Sequence, residues 1–391
     1  MSLYRFDKNS KISFQHFLIK PSRPQFVPFR PTLPEAPGPC ARDLRNSGKS
    51  LNFVHAISTG EFNHNAELKV SELLPYIFLT AALIVAESAY IVIARRCGII
   101  DRGAASLATP RIVVRGGGII FLLAALLQPL LWSTCYPWFA AGLALLGAVT
   151  FADDIRQLSV EARLAAQAAA VVLMSAQLPL APGLYMVPAL IVCMGVVNAF
   201  NFMDGIDGMT GMYSLSVLLP LIYLNGELQF IEPSLPAAAT IAVLVFCMFN
   251  CRRRPLCFAG DIGAVAIGLT IVFALSMLIV RTGDFSYIVF LAVYGVDSVL
   301  TIIRRIRLGE RLTQGHRRHC YQLLANRLHR PHLEIAAAYS TLQLLLSFGL
   351  ILLPDGHYLY AAGVCAGLAA VYCAIVLKAS AIRQEPDREL P

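Results

Sequence analysis

The sequence predicts an all-α integral membrane protein: a polytopic bundle of about ten to eleven transmembrane helices with catalytic loops on the cytoplasmic side. Three observations carry this. Hydrophobic residues make up 57% of the 391 and charged residues 14%, with a mean hydropathy of +0.63, whereas a soluble globule carries charge on roughly a quarter of its residues. The apolar residues gather into runs near the roughly 17–25 residues that cross a bilayer as a helix, without the period-two alternation of a barrel. The net charge of +8, from 32 Lys and Arg against 24 Asp and Glu, sits in the segments between those runs. That is the pattern of loops facing anionic lipid and argues against a nucleic-acid partner.

Residues 1–71 differ in kind. They are polar and punctuated by Pro21, Pro24, Pro28, Pro31, Pro34, Pro37 and Pro39, and they lack an apolar core followed by a small-residue cleavage site. They read as a disordered polar tail, or as the product of a start codon assigned too far upstream. The membrane domain covers 72–380, with spans at 73–94, 116–134, 137–152, 164–180, 186–203, 210–226, 236–250, 263–281, 286–303, 335–354 and 358–379; 381–391 is a short cytoplasmic tail. No internal repeat is evident, which weakens a transporter reading. The ten Cys are scattered without metal-like doublets and read as small core residues in a reducing setting.

Parity orients the spans. Arg95, Arg96, Arg102, Arg111 and Arg115 follow the first, Arg252, Arg253 and Arg254 the seventh, and Arg304, Arg305, Arg307, Arg311, Arg317, Arg318, Arg327 and Arg330 the ninth. All these loops follow odd-numbered spans and fall on one side, the cytoplasm by the positive-inside rule. The amino-terminal tail, with ten basic and six acidic residues up to Glu72, would lie on the other side, which supports the misassigned-start reading.

Five polar motifs interrupt the apolar pattern, all on the cytoplasmic side. Asp153 and Asp154 end the third span; adjacent carboxylates repel, so they suit a divalent cation or a proton-accepting role, and otherwise mark a solvated loop. Asn198, Asn201, Asp204 and Asp207 recur every three residues, which stacks them along one ridge of a helix facing the bundle or a wet cavity. Helix packing through small residues explains the interleaved glycines but not the aligned Asn and Asp. Gly260-Asp261-Ile-Gly263 opens the eighth span and suits a metal on a diphosphate, with backbone amides facing anionic oxygens. Arg115-Gly-Gly-Gly118 is not a dinucleotide fingerprint and reads as flexible backbone at the bilayer surface. His316, Arg317, Arg318 and His319 can grip phosphate oxygens, or serve only as a topogenic basic loop. Asp297, inside the ninth span, reads either as the ion-pair partner of Arg304 or Arg305 or as part of the site.

At these residues the sequence resembles the polyprenyl-phosphate N-acetylhexosamine-1-phosphate transferases of glycosyltransferase family 4, from Glu72 to Lys378 and with the motifs in family order. The branch is the one that initiates O-antigen and enterobacterial common antigen, related to the phospho-muramoyl-pentapeptide transferase. The His316-Arg-Arg-His319-Cys-Tyr-Gln stretch looks like that branch's His-Arg-x-His-x-Tyr-Gln loop. The resemblance implies transfer of a sugar 1-phosphate from a UDP-activated amino sugar to undecaprenyl phosphate, releasing UMP, with Mg2+ or Mn2+, in the bacterial inner membrane; it leaves a homodimer open. Asp153 and Asp154 match the paired aspartates tied to lipid-phosphate activation and catalysis. Asp261 matches the metal-binding aspartate and Phe258 the aromatic that stacks on uracil. Asn201, Asp204 and Asp207 match the nucleotide-side block, with Asp204 and Asp207 counted as catalytic alongside His319. Asn198, His316, Arg317 and Arg318 are substrate contacts in this reading. Direct displacement and a covalent aspartyl intermediate both stay open. Two departures stand out: Asp101 to Arg111 is a degenerate form of the family's first loop, and Ala264 replaces a usual Ser. The rivals are a polytopic transporter or flippase of lipid-linked or anionic solutes, and a catalytically dead scaffold, which the degenerate loop keeps open.

Overall fold

The computed structural model describes residues 70–101, 113–311 and 316–381, apart from 135, 157, 181, 182 and 185. Residues 1–69 of the polar tail expected over 1–71, most of the degenerate first loop and residues 382–391 lie outside the described residues. The helices are α1 (Val70–Cys97), α2 (Ile119–Trp132), α3 (Pro137–Ile155), α4 (Val160–Ala176), α5 (Met186–Met203), α6 (Met209–Leu228), α7 (Ser234–Asn250), α8 (Gly260–Thr282), α9 (Ala292–Arg307), α10 (Cys320–Asn326), α11 (His332–Ile351) and α12 (His357–Ala381). A 3-10 helix, Phe285–Leu291, leads directly into α9.

Each of the eleven expected spans coincides with a helix, so the fold class read from the sequence holds. In lipid a backbone without water must satisfy its own polar groups, and a helix does so within one segment. Seven segments among the described residues are long and apolar enough to cross a membrane: α1, α3, α5, α8, Phe285–Arg307, α11 and α12. α2 and α7 are apolar but shorter. Two features were not anticipated. α10 is a helix of seven residues inside the last basic loop. Strands β1 (Ile100–Asp101) and β2 (Val113–Val114) pair antiparallel, and Val114 bridges in parallel to Cys257.

α8 is the axis. Every residue from Ile262 to Leu275 is buried, and α2, α3, α5, α6 and α7 all pack on it. The rings of Phe139 and Phe273 stack at 4.4 Å between α3 and α8. α12 lies at the other extreme, with only Val364, Tyr372 and Ala379 buried. Side-chain contacts tie the basic and acidic loops into one end of the bundle, as parity requires: Arg115 reaches Asp154 and Asp261, Tyr321 reaches Phe202, His332 reaches Asp207, and Asn250 reaches Gly208.

The three glycines after Arg115 correct the reading of flexible backbone. Val114, Gly117 and Gly118 donate to the carbonyls of Leu256, Phe258 and Ala259, and Phe258 donates back to Val114. The turn is therefore laced to the segment that enters α8. A Cβ on Gly118 would lie 2.3 Å from the Cα of Gly263, a backbone atom with no freedom to yield. The glycines are there for close approach, and the joint sets where Arg115 projects.

This joint generates a paired prediction. Gly118→Ala should destabilise the protein by about 1–3 kcal/mol, the usual cost of overpacking, seen as a lower thermal unfolding midpoint in detergent. Gly226→Ala on α6, where an added Cβ meets nothing within 4 Å, should not. Equal midpoints for the two variants would contradict the packed joint.

Candidate active site

Asp153 and Asp154 lie in the last turn of α3, where the chain meets the start of α8. The Asp154 side chain is wholly buried. Its Oδ1 accepts from the amide of Asp261 at 3.2 Å and its Oδ2 from that of Ile262 at 3.1 Å. Those amides belong to the first turn of α8 and have no partner within the helix, so the carboxylate satisfies them and meets the positive end of the helix dipole. Arg115 then bridges two carboxylates: its Nε lies 2.6 Å from Asp154 Oδ1 and its Nη2 3.3 Å from Asp261 Oδ1. Arg163, in the first turn of α4, makes a second bridge. Its Nη1 is 3.1 Å from Asp153 Oδ2 and 3.8 Å from Asp261 Oδ2. Asp153 Oδ1 also accepts from the Leu158 amide at 2.7 Å. Three carboxylates and two guanidiniums thus form one charged cluster at the helix ends.

The Asn/Asp block departs from the expected ridge. α5 ends at Met203, so Asn198 and Asn201 are helical while Asp204 and Asp207 lie in the turn before α6. Gly208, at φ +80°, supplies the left-handed backbone that the turn requires. Asp204 Oδ1 accepts from the Thr210 hydroxyl at 2.5 Å. Burial pushes the Asp204 carboxyl up to about 7; the charges of Asp261 and Asp154 push the same way, and Thr210 and Arg115 oppose. Asp207 Oδ2 lies 2.9 Å from His332 Nδ1. Asn198 faces inward: its Nδ2 donates to Gln167 Oε1 at 2.8 Å and to the Met194 carbonyl at 2.9 Å, tying α5 to α4. Asn201 is half-buried in the last turn of α5, and Phe258 is half-buried beside the glycine turn.

The last loop joins this centre through α5. Tyr321 OH donates to the Phe202 carbonyl at 2.8 Å, and the Phe202 and His319 rings lie 6.3 Å apart. His319 is 1% exposed and its Nδ1 is 3.3 Å from Asp297 Oδ1. Asp297 therefore does not pair with Arg304 or Arg305. Its other donors are the Cys320 amide and the hydroxyls of Thr301 and Tyr339, while Arg305 binds Glu310 and the Arg311 carbonyl. Arg317 is exposed and Arg318 pairs with Glu310. A cavity of about 460 Å3 opens among Arg305, Glu310, Arg311, His316, Arg317 and Arg318. Burial pushes His316 down to about 4, with His319 and Arg305 beside it adding to the effect. The loop's positive charge therefore comes from its arginines.

Several participants escaped the sequence reading. Arg115 counted only as a topogenic charge and Arg163 not at all, although a lone Arg in the first turn of an apolar helix was a usable signal. Asn250 is buried, accepting from the Gly208 amide and donating to the Cys257 carbonyl, both at 2.8 Å. It clamps the Asp204–Asp207 turn to the entry of α8. Among the described residues no three His, Cys, Asp or Glu side chains converge as a metal cage. The cluster offers hard oxygen donors, of which the 19%-exposed Asp261 side chain is the most open.

Acids held against a helix start by arginines suit a phosphate-bearing ligand, and so does the arginine-lined cavity of the last loop. Residues 136–280 match the model of glycosyl transferase family 4. The segment takes in α3 to α8 and hence Asp153, Asp154, Asp204, Asp207 and Asp261, and the resemblance to glycosyl transferase family 4 read from the motifs is borne out. An undecaprenyl-phosphate alpha-N-acetylglucosaminyl 1-phosphate transferase of Yersinia pestis is 26% identical over 289 residues, 66% of this chain and 77% of that protein. Its Escherichia coli K12 namesake is 28% identical over 138 residues, 33% of this chain and 37% of that protein. A phospho-N-acetylmuramoyl-pentapeptide-transferase of Thermotoga neapolitana is 32% identical over 120 residues, 31% of this chain and 38% of that protein. Against such muramoyl-pentapeptide transferases the match spans under two fifths of their length.

The raised Asp204 carboxyl has a consequence for stability. Between its ordinary value of 3.8 and about 7 the folded chain binds this proton and the unfolded chain does not, so stability falls as pH rises through that window. Asp204→Asn removes the group and should flatten that fall, measured as the difference in thermal unfolding midpoint between about pH 5 and pH 8. An unchanged difference would contradict the buried placement.

Proposed function

We propose that this protein transfers an N-acetylhexosamine 1-phosphate from a UDP-activated sugar to undecaprenyl phosphate, releasing UMP, as the initiating step of O-antigen or another cell-envelope glycan. The observation that carries the reading is the cluster of Asp153, Asp154 and Asp261 bridged by Arg115 and Arg163, whose three carboxylates lie in the segment that matches the family. The Arg-rich loops of the same end support a site facing the cytoplasm of a bacterial inner membrane.

In this reading an oxygen of the lipid phosphate attacks the sugar-linked phosphorus of the donor. The new P–O bond forms as the bond to the UMP phosphate breaks, and UMP leaves with that electron pair. The product is a lipid-linked sugar diphosphate. Arg115 and Arg163 are placed to take phosphate oxygens in exchange for carboxylates, as guanidiniums suit such oxygens. Asp153 keeps the lipid phosphate deprotonated. The Asp204–Asp207 turn and Phe258 hold the nucleotide, Arg317 contacts the diphosphate, and His319 contacts the donor sugar.

Mg2+, with Mn2+ as substitute, would rest on Asp261. A site without a protein cage suits Mg2+, which binds through one or two carboxylates and completes its shell with phosphate oxygens and water. Such a cation would offset charge on the transferring phosphate.

The test is purified protein with UDP-N-acetylglucosamine, undecaprenyl phosphate and Mg2+, read as UMP release and a lipid-linked product. No UMP from UDP-amino sugars by the wild-type protein would overturn the reading. Asp261→Asn should fold and insert but lose more than nine tenths of turnover; retention of more than about a tenth would reject its assignment. His319→Ala should lower kcat/KM for the donor by roughly 10²-fold, about 2.7 kcal/mol, the size of one hydrogen bond realised in the transition state. Arg318→Ala should do less, since Arg318 already pairs with Glu310. Wild-type kinetics for His319→Ala would confine the site to the carboxylates.

A further inference from the structure

We infer that Asp297 is a positioning residue that acts through His319, fixing the imidazole so that Nδ1–H points into the bundle and Nε2 serves the donor. The inference rests on the transfer reading above and adds a residue to it. Asp297 is buried in α9, 4% exposed. Its Oδ1 lies 3.0 Å from the Cys320 amide, 3.2 Å from Thr301 Oγ1 and 3.3 Å from His319 Nδ1. Its Oδ2 lies 2.9 Å from Tyr339 OH and 3.1 Å from the Cys320 amide. A carboxylate surrounded by donors acts as acceptor only, so the ring nitrogen that faces it carries the proton. That leaves Nε2 as the ring's open valence.

The surroundings give that valence a use. His319 Nε2 is buried and has no hydrogen-bond partner among the described residues, and neither has His316 Nδ1. The two rings lie 4.9 Å apart, and the rings of Phe202 and Tyr321 flank His319 at 6.3 and 5.9 Å. A buried polar nitrogen without a partner costs free energy. A ring held on one side by a buried carboxylate and open on the other is the arrangement by which an Asp sets the tautomer and orientation of a working His. Phe202 sits at the end of α5, two residues before Asp204, so the oriented nitrogen borders the nucleotide side of the site. A bare His319 Nε2 accepts, so it fits a sugar hydroxyl of the donor, with His316 Nδ1 beside it.

Asp297 also accepts the first amide of α10, so a purely structural role is the rival, and a double-mutant cycle separates the two. Donor kcat/KM is measured for wild type, Asp297→Asn, His319→Ala and the double variant, with thermal unfolding as the folding control. Acting through His319, Asp297→Asn should cost about 10- to 100-fold in the wild-type background and no more than about 3-fold once His319 is gone. Losses that multiply would make Asp297 a helix cap only and overturn the inference. A second readout needs no turnover: 15N spectra of histidine-labelled protein, with His319→Ala used to assign the signal. Protonated Nδ1 and bare Nε2 in the wild type, lost in Asp297→Asn, is the expected result, and a bare Nδ1 in the wild type would overturn it. Wild-type protein that releases no UMP would overturn the transfer reading, while the 15N result still decides how the ring is held.

Discussion

The bridge from Arg115 to Asp154 and Asp261 is the interaction on which the rest of the site depends. A wholly buried carboxylate is costly unless its charge is met and its lone pairs are occupied. Asp154 meets both conditions with one guanidinium and two amides of the α8 first turn. The same guanidinium holds Asp261, which would otherwise stand beside Asp154 and Asp153 as a third like charge. Arg115 can reach both because the glycine turn behind it lies against the α8 entry at backbone contact distance. Close packing and charge pairing are thus two aspects of one joint between α2, α3 and α8.

Around that joint the molecule is organised as two connected halves. One holds the carboxylates with Arg115 and Arg163; the other holds Asp297, His319 and the arginine-lined cavity. The end of α5 links them, since Tyr321 and His319 rest on Phe202 while Asp204 follows two residues later. Asn250 adds a cross-tie from the Asp204–Asp207 turn to the chain entering α8.

Much of this was legible in the sequence, for a physical reason. Lipid leaves a spanning segment little choice but helix, so hydropathy sufficed to find eleven helical segments, seven of them among the described residues long and apolar enough to cross a membrane, and Arg parity to find the common end of their polar loops. Ionisable residues are rare among apolar spans, so Asp153, Asp154, Asp204, Asp207 and Asp261 stood out as candidates. What stayed hidden was pairing across distance. Arg115 looked like one topogenic charge among many, and nothing in its neighbourhood said that it would meet residues 39 and 146 positions on. The three-residue period suggests a helical ridge through Asp207, yet the helix stops at Met203 and Gly208 takes left-handed backbone before α6. Asp297 looked suited to an arginine one or two turns along its own helix, but the structure gives it partners from α10 and α11.

The central claim is that Arg115 stabilises the cluster by answering a buried charge, and thermal unfolding of an Arg115 and Asp154 double-mutant cycle tests it most directly. Arg115→Ala leaves Asp154 buried with its guanidinium gone, so its unfolding midpoint should fall clearly below that of wild type. Adding Asp154→Asn to that variant removes the unanswered charge and should recover part of the loss. A double variant whose midpoint falls by the sum of the two single losses, or further, would contradict the account.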